Sequence, residues 1–239
     1  MTETDMQHVT IVAWYGEKPT ILGNYIKTVQ DLMRQSVGPI FEPRVQEEVH
    51  ATIVGLERST NSASLGSLLR MIHMLRSEFH GGVPIQFGGY NKSLDTFTSR
   101  GLRLYDRTLW LQGEQCVTIG WPVTNDLPTM LLDALRRECG RYGFPHKYHQ
   151  TSDATDPDAY MVIGDVKTAS IIEGGEVMER LTCARELVSR EGVKIVLRAA
   201  DIFLVHYKDT SLPLSTSRAS SIVDFKDEAT LRHFLRESS

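Results

Sequence analysis

Apolar residues along the chain alternate between the two-residue period of strands and the three-to-four-residue period of helices. The run HVTIVAWYG, residues 8–16, predicts a strand, and from about Asn24 to Gln35 the residues Ile26, Val29, Leu32 and Met33 keep helical spacing. A second strand, EVHATIVGLE, comes next. It is followed by a helix from about Ser62 to Phe79, with Leu65, Leu68, Leu69, Ile72, Leu75 and Phe79 on one stripe. Ser62 or Ser64 is the expected N-cap and Gly81 the expected stop. VPIQFGG and GLRLYDRTLWLQG then predict a pair of strands.

The same order recurs. CVTIGWPV, residues 116–123, resembles HVTIVAWY, with Val9 and Thr10 matching Val117 and Thr118. A helix from about Leu127 to Tyr142 carries Leu127, Leu131, Leu132, Leu135 and Cys139, and DAYMVIGDV answers VHATIVGLE, with Gly55 matching Gly164. A helix near Glu176 to Arg190 carries Val177, Leu181, Ala184 and Val188, and VKIVLRAADIFLVHYKDTSLP supplies a last strand pair. The expected fold is α+β: two duplicated lobes, about 8–113 and 114–213, with antiparallel-rich sheets around a central cleft and helices on the outer faces. Together they form a bilobal domain, 1–213, while 214–239 reads as a polar linker and a short helix bearing Leu231, Phe234 and Leu235.

Charge narrows the choice of partners. Lys plus Arg number 26 against 30 Asp plus Glu, a net charge of -4, which argues against an extended nucleic-acid surface but leaves room for a small phosphate pocket. No apolar run is long enough to span a membrane, and MTETDMQH lacks the pattern of a signal peptide, so the expectation is a cytoplasmic protein with no membrane partner. Cys116, Cys139 and Cys183 are scattered and lack metal-ligand spacing, and read as reduced thiols.

The candidate chemistry begins at His50 and Thr52. Two residues apart in a strand, they share a face. A duplicated lobe whose inner strand carries His-x-Thr resembles the two-histidine phosphoesterases, the superfamily of RNA 2′,3′-cyclic phosphodiesterases and 2′-5′ RNA ligase-like proteins; here the motif is His50, Ala51, Thr52 in VHATIVGL, and the likeness spans roughly residues 8–213. The resemblance implies metal-free, cofactor-free hydrolysis of a cyclic phosphate or phosphodiester on a nucleotide or RNA terminal phosphate. One histidine serves as base, a second as acid, and hydroxyl residues bind the phosphate oxygens.

The second motif departs from that pattern. If Gly55 aligns with Gly164, the counterparts of His50 and Thr52 are Ala159 and Met161, which move no protons. Just upstream, His149, Gln150 and Thr151 form another His-x-Thr in a polar stretch that reads as a loop, so His149 and Thr151 are the candidate second pair. His206 in the last strand pair is a further candidate. His146 and His149 with Asp153, Asp156 and Asp158 raise a metal site, though the spacing matches no recognised ligand set. Trp14, Tyr15 and Trp121 follow the first strand of each half and suit either base stacking or core packing, and no Walker loop, GxGxxG, GxSxG or HExxH is present. Two functions stay open: a phosphoesterase, or a catalytically inactive member of the same fold that binds a ligand or partner. A third reading, another duplicated α+β protein, keeps only the architecture.

Overall fold

A computed structural model describes residues 8–60, 63–93, 97–149, 151, 154–167 and 174–236, with the backbone alone described for 174–177. The expected cap Ser62, together with Gln150 and Asp153, lies outside the described residues, as does the side chain of Val177.

The first half runs β1 (Val9–Ala13), α1 (Thr20–Val37), β2 (Phe41–Pro43), β3 (Ala51–Gly55), α2 (Leu65–Glu78) and β4 (Val83–Phe87). β1 is shorter than its apolar run because Trp14 turns to φ 58 and donates its N–H to the carbonyl of Asp201 at 2.7 Å. α1 extends beyond its apolar stripe and stops where Gly38, at φ 68, donates to the carbonyl of Arg34. Ser64 caps α2, its side chain accepting from the Ser67 N–H while the Ser67 hydroxyl accepts from the Ser64 N–H.

Next come β5 (Thr98–Ser99), β6 (Leu102–Arg103), α3 (Leu104–Arg107), β7 (Leu109–Gln112) and β8 (Gln115–Thr124). GLRLYDRTLWLQG is therefore two short strands around a helical turn rather than one strand. It does not pair with β4: both β4 and β7 pair with β8. β9 (Leu127–Pro128) pairs back on β8, so α4 starts only at Leu131 and runs to Arg141, short of the Leu127 start that the apolar spacing suggests. β10 (Ala159–Val166), α5 (Gly174–Val188), β11 (Val193–Leu197), β12 (Ile202–His206), β13 (Arg218–Ser221) and α6 (Glu228–Arg236) complete the chain.

Among the described residues the strands form one eleven-stranded sheet, with main path β11-β4-β8-β10-β3-β1-β12-β13, plus the separate β5-β6 ribbon. All the pairings are antiparallel. β11 and β12 are not the expected pair. β11 joins β4, β12 joins β1, and only the turn Ala199–Asp201 separates them. So short a link reaches at most about 3.5 Å per residue, and two strands near opposite ends of the path are connected by it only if the sheet curls its ends together. The C-terminal segment adds to this body: β13 pairs with β12, and α6 buries Leu231, Phe234 and Leu235 in the main core.

Strand alternation separates two faces. Ala51, Ile53, Ala159, Met161 and Ile163 point into the main core, where the apolar stripes of α1, α2, α4, α5 and α6 meet them. Two smaller clusters lie on the other face, one around Val117, Ile119 and Trp121 and the other around Val12, Val205 and Tyr207. Between them in strand order lie Tyr160 and Val162 of β10, and Thr52 of β3 with His50 immediately before that strand. No described helix is long and apolar enough to cross a membrane.

Candidate functional site

A cavity of about 270 Å³ opens on that second face of β3 and β10. His50 and Thr52 line it together, as their two-residue spacing requires. Across from them, β10 pairs antiparallel with β3 through Met161 and Ala51, which sets Val162 opposite His50 and Tyr160 opposite Thr52. Tyr160 and Val162 line the cavity too. The glycine match therefore runs one residue out of phase with the site: Ala159 and Met161 are core residues, and a one-residue slip in a strand exchanges its faces. Gly164 is glycine for a local reason, since a Cβ there would sit 2.6 Å from the Glu42 carbonyl and 2.5 Å from the Phe41 ring, whereas at Gly55 a Cβ would meet only the flexible Glu57 carboxylate.

His50 has a defined tautomer. Its Nδ1–H donates to the Glu48 carbonyl at 2.7 Å, which leaves Nε2 with a lone pair, and the Tyr15 ring packs edge-on with centroids 6.0 Å apart. Burial lowers its pKa to about 4; the bond to Glu48 works the other way, and the positive charges of Arg44 and Lys18 lower it further. The ring is thus neutral at pH 7. Lys18 is itself pushed down to about 8, by burial against the opposing pull of Glu47, while its Nζ donates to the carbonyls of Gly16 (2.7 Å) and Glu47 (2.9 Å).

The rest of the wall is dominated by cations. Arg44, Arg100, Arg136 and Lys147 line it against the single carboxylate of Asp156. Arg44 lies 3.8 Å from Asp165 and Lys147 lies 3.2 Å from Glu57. Arg100 reaches Asp156 at 3.2 Å and stacks over the half-exposed Tyr148 ring, 4.4 Å from its centroid. Arg136, buried on α4, braces the site from behind: it donates to the carbonyls of Thr52 (2.7 Å), Ile53 (2.9 Å), Asp156 (2.5 Å) and Asp158 (2.9 Å). It thereby ties β3 to the segment that leads into β10.

The loop between α4 and β10 supplies a second histidine, His146. It is 2% exposed and lines the cavity, and its Nε2–H donates to Asp156 Oδ2 at 2.8 Å. Its Nδ1 is buried without a hydrogen-bond partner. Burial lowers its pKa to about 4, against the opposing pull of the Asp156 bond and with the added effect of Arg136. Burial disfavours charge on Asp156 as well, but Arg136, His146 and Arg100 outweigh it and hold that carboxyl well below the usual range. Tyr160 is pushed up to about 12, chiefly by burial, and so stays protonated at neutral pH.

The pair His149 and Thr151 is not brought to His50. His149 Nε2 bonds Asp133 at 2.8 Å, behind His146, and Asp133 in turn accepts from the backbone N–H of Asp156 at 2.6 Å. Thr151 is exposed on the loop. Neither lines the cavity, and neither does His206. The described histidines and aspartates of the loop have separate partners: Asp158 accepts from Arg107 (2.5 Å) and Trp121 Nε1 (2.8 Å), and no group of three or more metal-ligating residues gathers among the described residues. Trp14, Tyr15 and Trp121 are buried packing residues.

Sequence reasoning passed over Arg44, Arg100, Arg136 and Lys147, and weighed His146 and Asp156 only as metal ligands. The loop composition drew attention to the right segment, but nothing in the sequence marked which of its histidines faces inward. No protein-family model matches the chain, and no curated protein matches it.

Proposed function

We propose that this cavity binds a phosphodiester, the 2′,3′-cyclic phosphate of a nucleotide or RNA end, and hydrolyses it without metal, in a cytoplasmic protein of the two-histidine phosphoesterase kind. In this reading β3 and β10 are equivalent inner strands of two duplicated lobes, and the cavity is the cleft between them. The observation that carries it is the wall: four cationic side chains against one carboxylate, around a neutral histidine and a hydroxyl on the same strand face. An anion with several acceptor oxygens fits such a lining, because arginine forks and hydroxyl donors match phosphoryl geometry. Thr52 donates to a phosphoryl oxygen, Arg44 and Arg100 balance the charge, and His50 Nε2 accepts the proton of the attacking water. Donors fixed before the substrate arrives stabilise the charge that develops on the phosphoryl oxygens.

A second reading, binding without turnover, is favoured by one observation: the β10 residue opposite His50 is Val162, which neither donates nor accepts. Hydrolysis of nucleoside 2′,3′-cyclic phosphates in the presence of chelator, with binding measured in parallel, separates the two. Turnover that disappears in His50→Ala supports the enzyme. Binding with no turnover supports the second reading, and the absence of both removes the phosphate assignment.

A further inference from the structure

β12 and β13 are antiparallel neighbours whose ends meet at His206 and Arg218, a junction that two residues could close. The chain instead takes residues 207–217 back across the sheet. Tyr15, just past the end of β1, donates its hydroxyl to the Leu212 carbonyl at 2.9 Å, and the Leu214 N–H donates to Glu48 Oε1 at 3.1 Å, two residues before His50. Thr210 and Ser211 of this excursion line the cavity, and the reaction above uses neither. We infer that their hydroxyls form a second, neutral subsite that takes the hydrogen-bonding groups of a nucleoside, and so set a preference for a nucleotide over a bare phosphate. The inference rests on the phosphodiester reading of the site.

The two flanks of the cavity differ in chemistry. In strand order β10 and β8 lie on one side of β3, and β1 and β12 on the other. Arg100 comes from the first side: it reaches Asp156, and its neighbour Ser99 bonds Asp158, which also accepts from Trp121 of β8. The one carboxylate of that flank's wall, Asp156, is matched by both Arg100 and Arg136. Thr210 and Ser211 come from the second side. The charged groups hydrogen-bonded to the backbone of residues 209–214 are carboxylates, since Asp209 Oδ1 accepts the Ser211 N–H at 2.7 Å and Glu48 accepts that of Leu214. Arg44, whose charge acts on both Asp209 and Tyr160, stands between the flanks. Coulomb interactions therefore draw a phosphate towards the arginines and away from the hydroxyls, which leaves the hydroxyls to an uncharged part of the ligand.

The loop is held in a shape that its sequence alone disfavours. Leu212 is 2% exposed and sits at φ 56, a region that bulky side chains rarely enter, with its N–H on the Asp209 carbonyl at 3.0 Å. Strain of this kind persists where the surroundings over-determine the backbone, and it gathers at ligand sites. The backbone N–H groups of Ser211 and Leu212 are both used within the loop, whereas the hydroxyls of Thr210 and Ser211 have no hydrogen-bond partner among the described residues. Thr210 is exposed and Ser211 half-buried, so a ligand in the cavity can reach them. A hydroxyl both donates and accepts. The oxygens of a phosphate only accept, and the cationic side chains already supply donors for them. A nucleoside, with donors and acceptors on its base edge and a hydroxyl on its sugar, matches the pair. Tyr15 is then a positioning residue, since its hydroxyl holds the loop while its ring packs against His50.

Titration calorimetry of the full chain tests this with inorganic phosphate and, each alone, the 2′,3′-cyclic phosphates of adenosine, guanosine, cytidine and uridine. The double variant Thr210→Val, Ser211→Ala should bind the tightest of the four nucleotides about 10–100-fold more weakly than wild type, two neutral hydrogen bonds at about 3–10-fold each. Its affinity for inorganic phosphate should be unchanged, which also shows that the fold is intact. Tyr15→Phe, which keeps the ring beside His50 and releases the Leu212 carbonyl, should give a smaller loss confined to the nucleotides. An unaltered nucleotide affinity in the double variant, or equal losses on nucleotide and phosphate, would overturn the neutral subsite and leave the phosphate site standing. Wild-type binding of phosphate but of no nucleotide would do the same, and wild-type binding of none of the five probes would overturn the phosphate reading together with the inference.

Discussion

Acidification should destabilise this protein well above the pH at which its carboxylates protonate, and the two cavity histidines set the size of the effect. Each titrates near 6.5 when unfolded and at about 4 in the folded chain, chiefly because burial disfavours the imidazolium. A folded pKa below the unfolded one means that the unfolded chain binds the extra proton first. The stabilisation is therefore complete above pH 6.5 and is lost as pH falls from 6.5 towards 4. Within that window each histidine contributes a slope of about 1.4 kcal/mol per pH unit. For the fully buried His146 this integrates to roughly 3 kcal/mol, and for His50, which is partly open to the cavity, to about 2 kcal/mol after allowing for solvent screening. The sum, about 5 kcal/mol, is comparable to the whole stability of many domains. Asp156 does not offset it, because a carboxyl held low stays ionised across the window and loses its contribution only at lower pH. Urea unfolding at intervals between pH 7.5 and 4.5 measures the slope directly. His146→Asn, which keeps an amide donor near Asp156 but cannot titrate, should cut the slope by about half. A stability that stays flat between pH 6 and 4.5, or a slope unaltered in that variant, would refute the reasoning.

Replacing Arg136 by Met leaves four carbonyls and the Asp156 carboxylate without their buried donor; breaking such a cluster from one side costs about 3–5 kcal/mol, read as a shift in the urea midpoint, and Lys at the same place, with a single ammonium, should recover only part of it. Thr52→Val keeps the shape of the wall and removes its hydroxyl, so affinity for a cyclic nucleotide in titration calorimetry should fall by about tenfold, the worth of one hydrogen bond to a charged group, with the urea midpoint unchanged. Among the thiols, Cys116 and Cys139 are buried and pushed up to about 12, mainly by burial, whereas Cys183 is exposed; a thiol reagent at pH 8 should label one cysteine quickly in the folded protein and all three only after unfolding.

The parts of this fold that were legible in the sequence are those fixed by neighbours along the chain. α2 declared itself through Leu65, Leu68, Ile72 and Leu75 and its serine cap, and the common face of His50 and Thr52 followed from the strand period alone. Periodicity says which side of a strand is buried and is silent on which strand lies beside it. That is why β11 and β12, nearly contiguous in sequence and equally apolar, read as a pair although the curled sheet sends them to different partners. The glycine match could not say which β10 residues face the cavity for a related reason: Gly164 answers the close approach of β2, a contact from elsewhere in the fold, so it is no guide to register.

The cationic wall was hidden more completely. Its members stand at 44, 100, 136 and 147, never clustered, in a chain whose net charge is -4. Net charge describes the whole surface, but a cavity samples only the few side chains that separate loops and strands bring to it, and at that distance their sum outweighs the average. Arg136 makes the point most sharply. On α4 it stands in the run LRRECGR, indistinguishable from its neighbour Arg137, yet it is buried because its four acceptors arrive from β3 and from the approach to β10. The sequence signal for a buried arginine therefore lies in its partners rather than in itself, and those partners are backbone carbonyls, which every residue carries. A cavity lined by dispersed arginines and one inward-facing loop histidine leaves a short motif, His50 and Thr52, as its only local trace.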